Sequence, residues 1–134
     1  MNAEVVPQPC VAVVEDEEPV RKALERLLRS AGFAVRSFAS GAAFLDALCE
    51  LQPSCVVLDL HMPSPNGFEI LEILHRRDAS IPIVVISAEH SRHNCARVHG
   101  FGVRSFLAKP VDDALLLDVV NAAMQAKEQA RQIP

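Results

Sequence analysis

The sequence predicts one α/β domain, in which helices cover both faces of a five-stranded parallel sheet. Five short segments have the apolar, β-branched character of buried strands: residues 10–15, 33–38, 54–60, 81–87 and 103–108. A segment with apolar residues at helical spacing follows each of them. This strict alternation, with short connections, is typical of a doubly wound fold built from crossovers.

The first two helices are predicted from their apolar stripes. Pro19 begins the first helix, because a proline at the first helical position loses no hydrogen bond. Gly32 ends it. Its stripe is Val20, Ala23, Leu24, Leu27, Leu28 and Ala31, with Arg21, Lys22, Glu25 and Arg29 facing outward. The second helix runs from Ser40 to about Glu50, with Phe44, Leu45 and Leu48 inward.

Capping residues locate the other three helices. Asn66 and Glu69 form a capping-box pattern before the third helix, which ends near Arg77. A weak fourth helix runs from Ser91 to Gly100, and this glycine lowers its stability by up to about 1 kcal/mol relative to alanine. Asp112 or Asp113 caps the fifth helix. The inward residues are Phe68, Ile70, Leu71 and Leu74 in the third helix, and Leu116, Val119, Val120 and Ala123 in the fifth.

Composition excludes several classes of protein. With 50 % hydrophobic and 22 % charged residues, the 134-residue chain is typical of a globular domain. Its net charge of −4 and lack of a basic tract make it a poor candidate for gripping nucleic acid by itself. It has no apolar run long enough to cross a membrane, and residues 1–9 lack a secretory pattern. Its four cysteines lack paired spacing, which indicates reduced thiols and a cytoplasmic protein.

Polar residues stand at the ends of four predicted strands. They are the run Glu15–Glu18, then Asp59, Ser87 and Lys109. In a parallel sheet these ends share one edge, where ligands of doubly wound folds bind. Carboxylates about 5 Å apart repel by about 3 kcal/mol per pair at an effective dielectric constant of 20, so such a cluster needs a cation. Mg²⁺ with a lysine and a hydroxyl suits a phosphoryl site whose nucleophile is a carboxylate.

Four segments resemble the receiver domain of two-component response regulators: VAVVEDEEPVRKAL, CVVLDLHMPSPNGFEIL, IPIVVISA and SFLAKP. The resemblance covers about residues 10–124 and is nearest to receivers joined to a LuxR-type helix-turn-helix output domain. It implies the flavodoxin-like (βα)5 receiver fold. It also implies a phosphorelay switch that controls transcription, with only weak self-phosphorylation and autodephosphorylation, rather than an enzyme.

The resemblance implies a role for each site residue. Asp59 accepts a phosphoryl group from a sensor histidine kinase. Lys109 pairs with the phosphoryl oxygens, and its bond to Pro110 is cis. The metal site for Mg²⁺ or Mn²⁺ is formed by Asp16, Asp59 and the backbone carbonyl of His61, with Glu15 acting largely through a metal-bound water. Ser87 and Phe106 form the switch pair, and the small Ala88 gives the phosphate access. His61 and Glu89 tune the lifetime of the acyl phosphate.

The same resemblance implies an output surface and domain limits. The fourth helix, fifth strand and fifth helix form the face that docks an output or a second copy. Here that face offers charges of both signs: Arg92, Arg97, Arg104, Asp112, Asp113 and Asp118. Residues 1–9 are an N-terminal extension, 10–126 the receiver and 127–134 a tail or the start of a linker. DNA contact would need an output domain that this chain lacks, and no membrane contact is expected.

Several alternatives stay open on the sequence alone. Glu15 stands where most receivers have aspartate, so we expect an altered Mg²⁺ affinity, and a pseudo-receiver that binds partners without phosphorylation is the main rival. A haloacid-dehalogenase-type phosphohydrolase would end its first strand with the nucleophile and carry a second aspartate two residues later, whereas Asp59 lies on the third predicted strand and residue 61 is a histidine. Ser87 alone could cap the fourth helix, and Phe106 alone could be plain core. His90, His93 and His99 are most simply exposed helix residues.

Overall fold

A computed structural model describes residues 10–77, 80–89 and 91–132, with side chains up to residue 126. Five parallel strands form one sheet in the order β2-β1-β3-β4-β5. The elements are β1 (Cys10–Val14), α1 (Glu18–Ser30), β2 (Ala34–Phe38), α2 (Gly41–Leu51), β3 (Cys55–Asp59), α3 (Gly67–Arg77), β4 (Ile83–Ser87), α4 (Arg92–His99), β5 (Ser105–Ala108) and α5 (Asp113–Gln132). The predicted fold class is confirmed.

Two apolar clusters fill the space on either side of the sheet. Ala12, Val14 and their neighbours pack with α2, α3 and α4. Val11 and Val13 point the other way and pack with α1 and α5. Both faces are covered, which explains why β1, β3 and β4 consist almost entirely of apolar residues.

The register of the strands brings the predicted polar residues to one edge. Val14 pairs with Leu58, Asp59 with Ile86, and Ser87 with Ala108. The residues that follow β1 and β5, Glu15 and Lys109, therefore lie beside Asp59 at the carboxyl edge of the sheet.

The predicted helix caps are mostly confirmed. Asn66 Oδ1 accepts from the Glu69 N–H at 3.0 Å, while Glu69 Oε1 accepts from the Asn66 N–H at 2.9 Å. Asp112 rather than Asp113 caps α5, because its Oδ2 accepts from the Leu115 N–H at 2.8 Å. Ser91 caps α4, so the alternative role for Ser87 as that cap is wrong.

Some details differ from the sequence prediction. Strand β1 ends at Val14, one residue earlier than predicted, and Gly100 follows α4 as its C-cap instead of lying inside the helix. Ala23 and Ala31 of the predicted α1 stripe are exposed, because Val20, Leu24, Leu27 and Leu28 already cover the sheet. Phe68, predicted to face inward from the third helix, is only half-buried.

The end of α5 can be compared with the predicted limits of the domain. Helix α5 continues to Gln132, so the backbone is helical past residue 126. Residues 1–9, 133–134 and His90 lie outside the described residues. The described helices include none with the length and apolar character needed to cross a membrane.

Candidate functional site

Three carboxylates meet at the carboxyl edge of the sheet. Glu15 follows β1, Asp16 is next to it, and Asp59 is the last residue of β3. One oxygen from each lies within 4.8 Å of the others. Glu15 is 0 % exposed and Asp59 is 1 % exposed. Glu15 and Asp59 continue the alternation of Val11, Val13 and Val57, which directs both side chains to the α1 and α5 side of the sheet.

Lys109 brings an ammonium group into this cluster from the end of β5. Its Nζ lies 2.5 Å from Glu15 Oε1, 3.4 Å from Asp59 Oδ2 and 3.6 Å from Glu17 Oε1. The backbone N–H of Lys109 donates to the Ser87 carbonyl at 2.9 Å, and this bond attaches the start of the loop after β5 to the end of β4. The Lys109–Pro110 peptide bond is cis.

The single positive charge of Lys109 does not balance the negative charge of three carboxylates. Buried Asp16 Oδ1 accepts no hydrogen bond from the residues that the structure describes. Glu15 Oε1 and Asp59 Oδ2 are likewise buried and are met there by the Lys109 ammonium. Oxygen atoms of this kind, close together and short of donors, suit a hard divalent cation such as Mg²⁺.

The protonation of Glu15 and Lys109 reflects this excess of negative charge. Burial, and then the neighbouring Asp59 carboxyl, raise the pKa of Glu15 from 4.5 to about 7, although Lys109 opposes the rise. Burial lowers the pKa of Lys109, but its hydrogen bond to Glu15 and the charge of Asp59 outweigh burial, so the net change is upward. Lys109 therefore stays charged while Glu15 holds its proton more strongly than an exposed glutamate.

The loop after β3 is packed tightly against Asp59. The His61 N–H donates to Asp59 Oδ1 at 3.3 Å, and the Gly67 N–H donates to the Leu60 carbonyl at 3.0 Å. A Cβ atom on Gly67 would lie 2.5 Å from both the Asp59 carbonyl oxygen and Leu60 Cα. Only glycine fits at this position without moving the backbone of Asp59.

The two predicted lifetime residues face each other. His61 Nε2 lies 3.8 Å from Glu89 Oε2, and both side chains are exposed. His61 follows β3 and Glu89 follows β4, so the loops after these two strands approach each other beside Asp59.

The predicted switch residues lie on one side of the sheet. Ser87 is fully buried, and its hydroxyl donates to the Glu89 carbonyl at 3.1 Å and accepts from the Glu89 N–H at 3.0 Å. Phe106 on β5 is half-buried and packs against the cluster that includes Val98 of α4. Ala88 is exposed. In this conformation the loop after β4 engages the Ser87 hydroxyl.

Two residues near the site were not predicted. The outward orientation predicted for Arg21 is wrong: its Nη1 donates to the carbonyls of Glu15 at 3.0 Å and Asp16 at 3.4 Å, because side chains in a first helical turn lie next to the preceding loop. Buried Asn94 on α4 donates from Nδ2 to the Glu89 carbonyl at 3.0 Å. Its polar character in a helix poor in apolar residues was the only sequence signal for that contact.

The predicted output face is exposed and carries both signs of charge. The residues Arg92, Arg97, Arg104, Asp112, Asp113 and Asp118 are all exposed. The Arg97 guanidinium carbon also lies 3.6 Å from the centre of the Phe68 ring on α3. Between α4, β5 and α5 is a groove of about 430 Å³, and Arg104 and Asp118 are among the residues that line it. His93 and His99 are exposed, as predicted.

Comparison with known proteins assigns the family. A family model for the response regulator receiver domain matches residues 11–121. The chain belongs to this family. Phosphorylation of an aspartate by a histidine kinase is the general function of receiver domains, which bind Mg²⁺ at an acidic pocket. This result, with Asp59 on the third strand instead of the first, removes the phosphohydrolase alternative.

Named relatives include transcriptional regulators. The chain is 37 % identical to transcriptional regulatory protein FixJ of Azorhizobium caulinodans over 123 residues, covering 91 % of the chain and 58 % of FixJ. It is 40 % identical to transcriptional regulatory protein TdiR of Thauera aromatica over 114 residues, covering 85 % of the chain and 50 % of TdiR. The chain thus spans about half the length of the curated relatives that it matches.

Solved structures agree with the fold. The response regulator StyR has a TM-score of 0.86 and 38 % identity, with 94 % of this chain and 64 % of that chain covered. A CheY-like receiver domain from Methanospirillum hungatei has a TM-score of 0.87 at 18 % identity, with 92 % and 99 % covered. The second likeness supports the fold alone.

Proposed function

We propose that Asp59 is the phosphoacceptor of this receiver domain and that a sensor histidine kinase supplies the phosphoryl group. The observation that carries the proposal is the position of the Asp59 carboxylate. It is 1 % exposed, lies at the end of β3, and has the Lys109 ammonium 3.4 Å from Oδ2 and the Glu15–Asp16 pair within 4.8 Å.

Asp59 acts as the nucleophile. One carboxylate oxygen attacks the phosphorus of the phosphohistidine, a P–O bond forms, and the P–N bond breaks with its electron pair going to the imidazole. The product is an acyl phosphate, and no electrons are exchanged with a redox partner. Lys109 is placed to pair with the phosphoryl oxygens, because its Nζ already contacts Asp59.

The carboxylates of Glu15, Asp16 and Asp59, with the His61 carbonyl, would hold Mg²⁺ or Mn²⁺. Bound there, the cation neutralises charge that develops on the phosphoryl oxygens. Glu15 Oε1 also meets the Lys109 ammonium at 2.5 Å, so a cation bound here would share this carboxylate with Lys109. We therefore expect a Mg²⁺ affinity different from that of receivers with aspartate at this position.

We expect the conformational switch to begin with a change of partner for the Ser87 hydroxyl in the loop after β4. The Ser87 hydroxyl would leave Glu89 and bind the phosphoryl group, which the small Ala88 leaves accessible. Phe106, on the same side of the sheet, would move into the space beside α4. His61 and Glu89 would tune the lifetime of the acyl phosphate. Phosphorylation then shifts an existing equilibrium between two conformations.

An output domain or a second copy of the chain is proposed to dock on the face formed by α4, β5 and α5. The charges of both signs on this face, among them Arg104 and Asp118 beside the groove, suit reciprocal pairing with a second copy across a two-fold axis. Control of transcription, with DNA contact through an output domain, is proposed from the relatives' names. The receiver limits at residues 10–126 and a cytoplasmic location also belong to the proposal.

Thermal unfolding with a phosphoryl analogue tests the site. Circular dichroism is the suitable probe, since the chain has no Trp and no Tyr. Mg²⁺ should raise the unfolding temperature, and beryllofluoride with Mg²⁺ should raise it further, because each binds only the folded state. Asp59→Asn should lose the beryllofluoride increment, while Asp46→Asn, the same change on the exposed side of α2, should keep it.

The same experiment separates the receiver from its rival. A wild-type chain that responds to neither Mg²⁺ nor beryllofluoride would be a pseudo-receiver, and the proposal would be wrong. A beryllofluoride increment that survives in Asp59→Asn would place the phosphoacceptor elsewhere.

A further inference from the structure

We infer that Arg21 is a positioning residue, which holds the backbone of Glu15 and Asp16 so that both carboxylates converge on the cation site. The inference rests on the proposed metal site. It starts from two hydrogen bonds: Arg21 Nη1 donates to the Glu15 carbonyl at 3.0 Å and to the Asp16 carbonyl at 3.4 Å.

These bonds fix a short segment just past the end of β1, where regular strand pairing stops. Strand β1 ends at Val14, and the Glu15 N–H donates to the Phe38 carbonyl at 3.0 Å. The Glu15 carbonyl is then held by Arg21, so both sides of this residue have a partner. Asp16 follows in the loop, and its carbonyl accepts a hydrogen bond from the same Arg21 guanidinium.

Arg21 is itself anchored at the far side of that loop. Its backbone N–H donates to the Glu17 carbonyl at 2.9 Å in the first turn of α1, and its side chain is half-buried. One residue therefore ties the start of α1 to the two residues that carry the acidic pair. A guanidinium suits this task, because its planar group can donate to neighbouring acceptors in a fixed geometry.

A positioning role and a purely electrostatic role predict opposite results. A positive charge near a cation site repels the cation, so removing it for that reason alone would tighten Mg²⁺ binding. Loss of an outer contact that orients a ligand typically weakens metal binding by about 10-fold to 100-fold. The direction of the change in Mg²⁺ affinity therefore distinguishes the two roles.

Calorimetric titration of Mg²⁺ into the 134-residue chain tests the inference. Arg21→Gln should bind Mg²⁺ at least about 10-fold more weakly than wild type, and Arg21→Lys, whose ammonium can still serve one carbonyl, should lose less. Arg29→Gln is the matched control: Arg29 also lies on α1 and donates to a backbone carbonyl, that of Val35 at 3.2 Å, away from the site. It should lower the unfolding temperature of the metal-free chain and leave Mg²⁺ affinity unchanged.

Each outcome decides a different question. An unchanged or tighter Mg²⁺ affinity in Arg21→Gln overturns the positioning role while the metal site stands. Equal weakening in Arg21→Gln and Arg29→Gln also overturns it, because the effect would then follow general destabilisation. If Arg21→Gln gives no cooperative unfolding, Arg21→Lys decides by the same criterion. A wild-type chain that binds no Mg²⁺ contradicts the proposed metal site, and with it this inference.

Discussion

The metal-free protein should lose stability as the pH rises from about 5 to about 8, because of Glu15. The pKa of this carboxyl is raised from 4.5 to about 7 in the folded chain, chiefly by burial and by the neighbouring Asp59 carboxyl. Between these two values the folded state keeps a proton that the unfolded state has lost. The free energy of unfolding therefore falls as the pH increases through this window.

The size of the loss follows from the difference between the two pKa values. The values 4.5 and about 7 differ by about 2.5 pH units, and each unit is worth about 1.4 kcal/mol, so the loss approaches about 3 kcal/mol. It is a large part of the stability of an ordinary domain.

Urea unfolding followed by circular dichroism in the presence of a chelator measures the effect. Wild type should lose stability between about pH 5 and about pH 8, whereas Glu15→Gln, which cannot ionise, should show a much smaller slope. Glu50→Gln, on the exposed side of α2, should keep the wild-type slope. Stability that is flat or rises with pH in metal-free wild type, or a full slope in Glu15→Gln, would refute the reasoning.

Three further substitutions test the packing that supports the site. Gly67→Ala should destabilise the chain by about 2 kcal/mol or more, because its Cβ would meet the Asp59 backbone at 2.5 Å; urea unfolding measures this, and a neutral result would contradict the close packing. Gly100→Ala should instead stabilise it by about 0.5–1 kcal/mol in the same assay, since φ there is −63° and the nearest atom lies 3.5 Å away. Leu28→Ala should destabilise by about 2–5 kcal/mol, because Leu28 is 0 % exposed between α1 and the sheet; a loss under about 1 kcal/mol would contradict that burial.

The fold could be predicted because burial on both faces leaves a strong pattern. Strands β3 and β4 are entirely buried, and even Asp59 and Ser87 at their ends are inside. Polar residues at such positions conflict with an apolar sheet, so the sequence marks them as functional candidates. The convergence of these residues then follows from parallel strands alone.

The contacts among the site residues could not be predicted in the same way. Whether Lys109 meets Glu15 or Asp59 depends on ångström-scale differences in side-chain reach, and the structure gives 2.5 Å against 3.4 Å. Arg21 carries a charge, which in a helical pattern indicates solvent, yet its guanidinium turns back to the loop before the helix. Asn94 is buried for a similar local reason, since it bonds the carbonyl of Glu89.

The most direct test of the central claim is to ask whether Asp59 takes up a phosphoryl group. The chain is incubated with acetyl phosphate, and intact-mass spectrometry is compared with and without Mg²⁺. Wild type and Asp46→Asn should each gain one phosphoryl group when Mg²⁺ is present, and Asp59→Asn should gain none. Phosphorylation of Asp59→Asn to the wild-type level, or none in wild type at saturating Mg²⁺, would contradict the assignment of Asp59 as the phosphoacceptor.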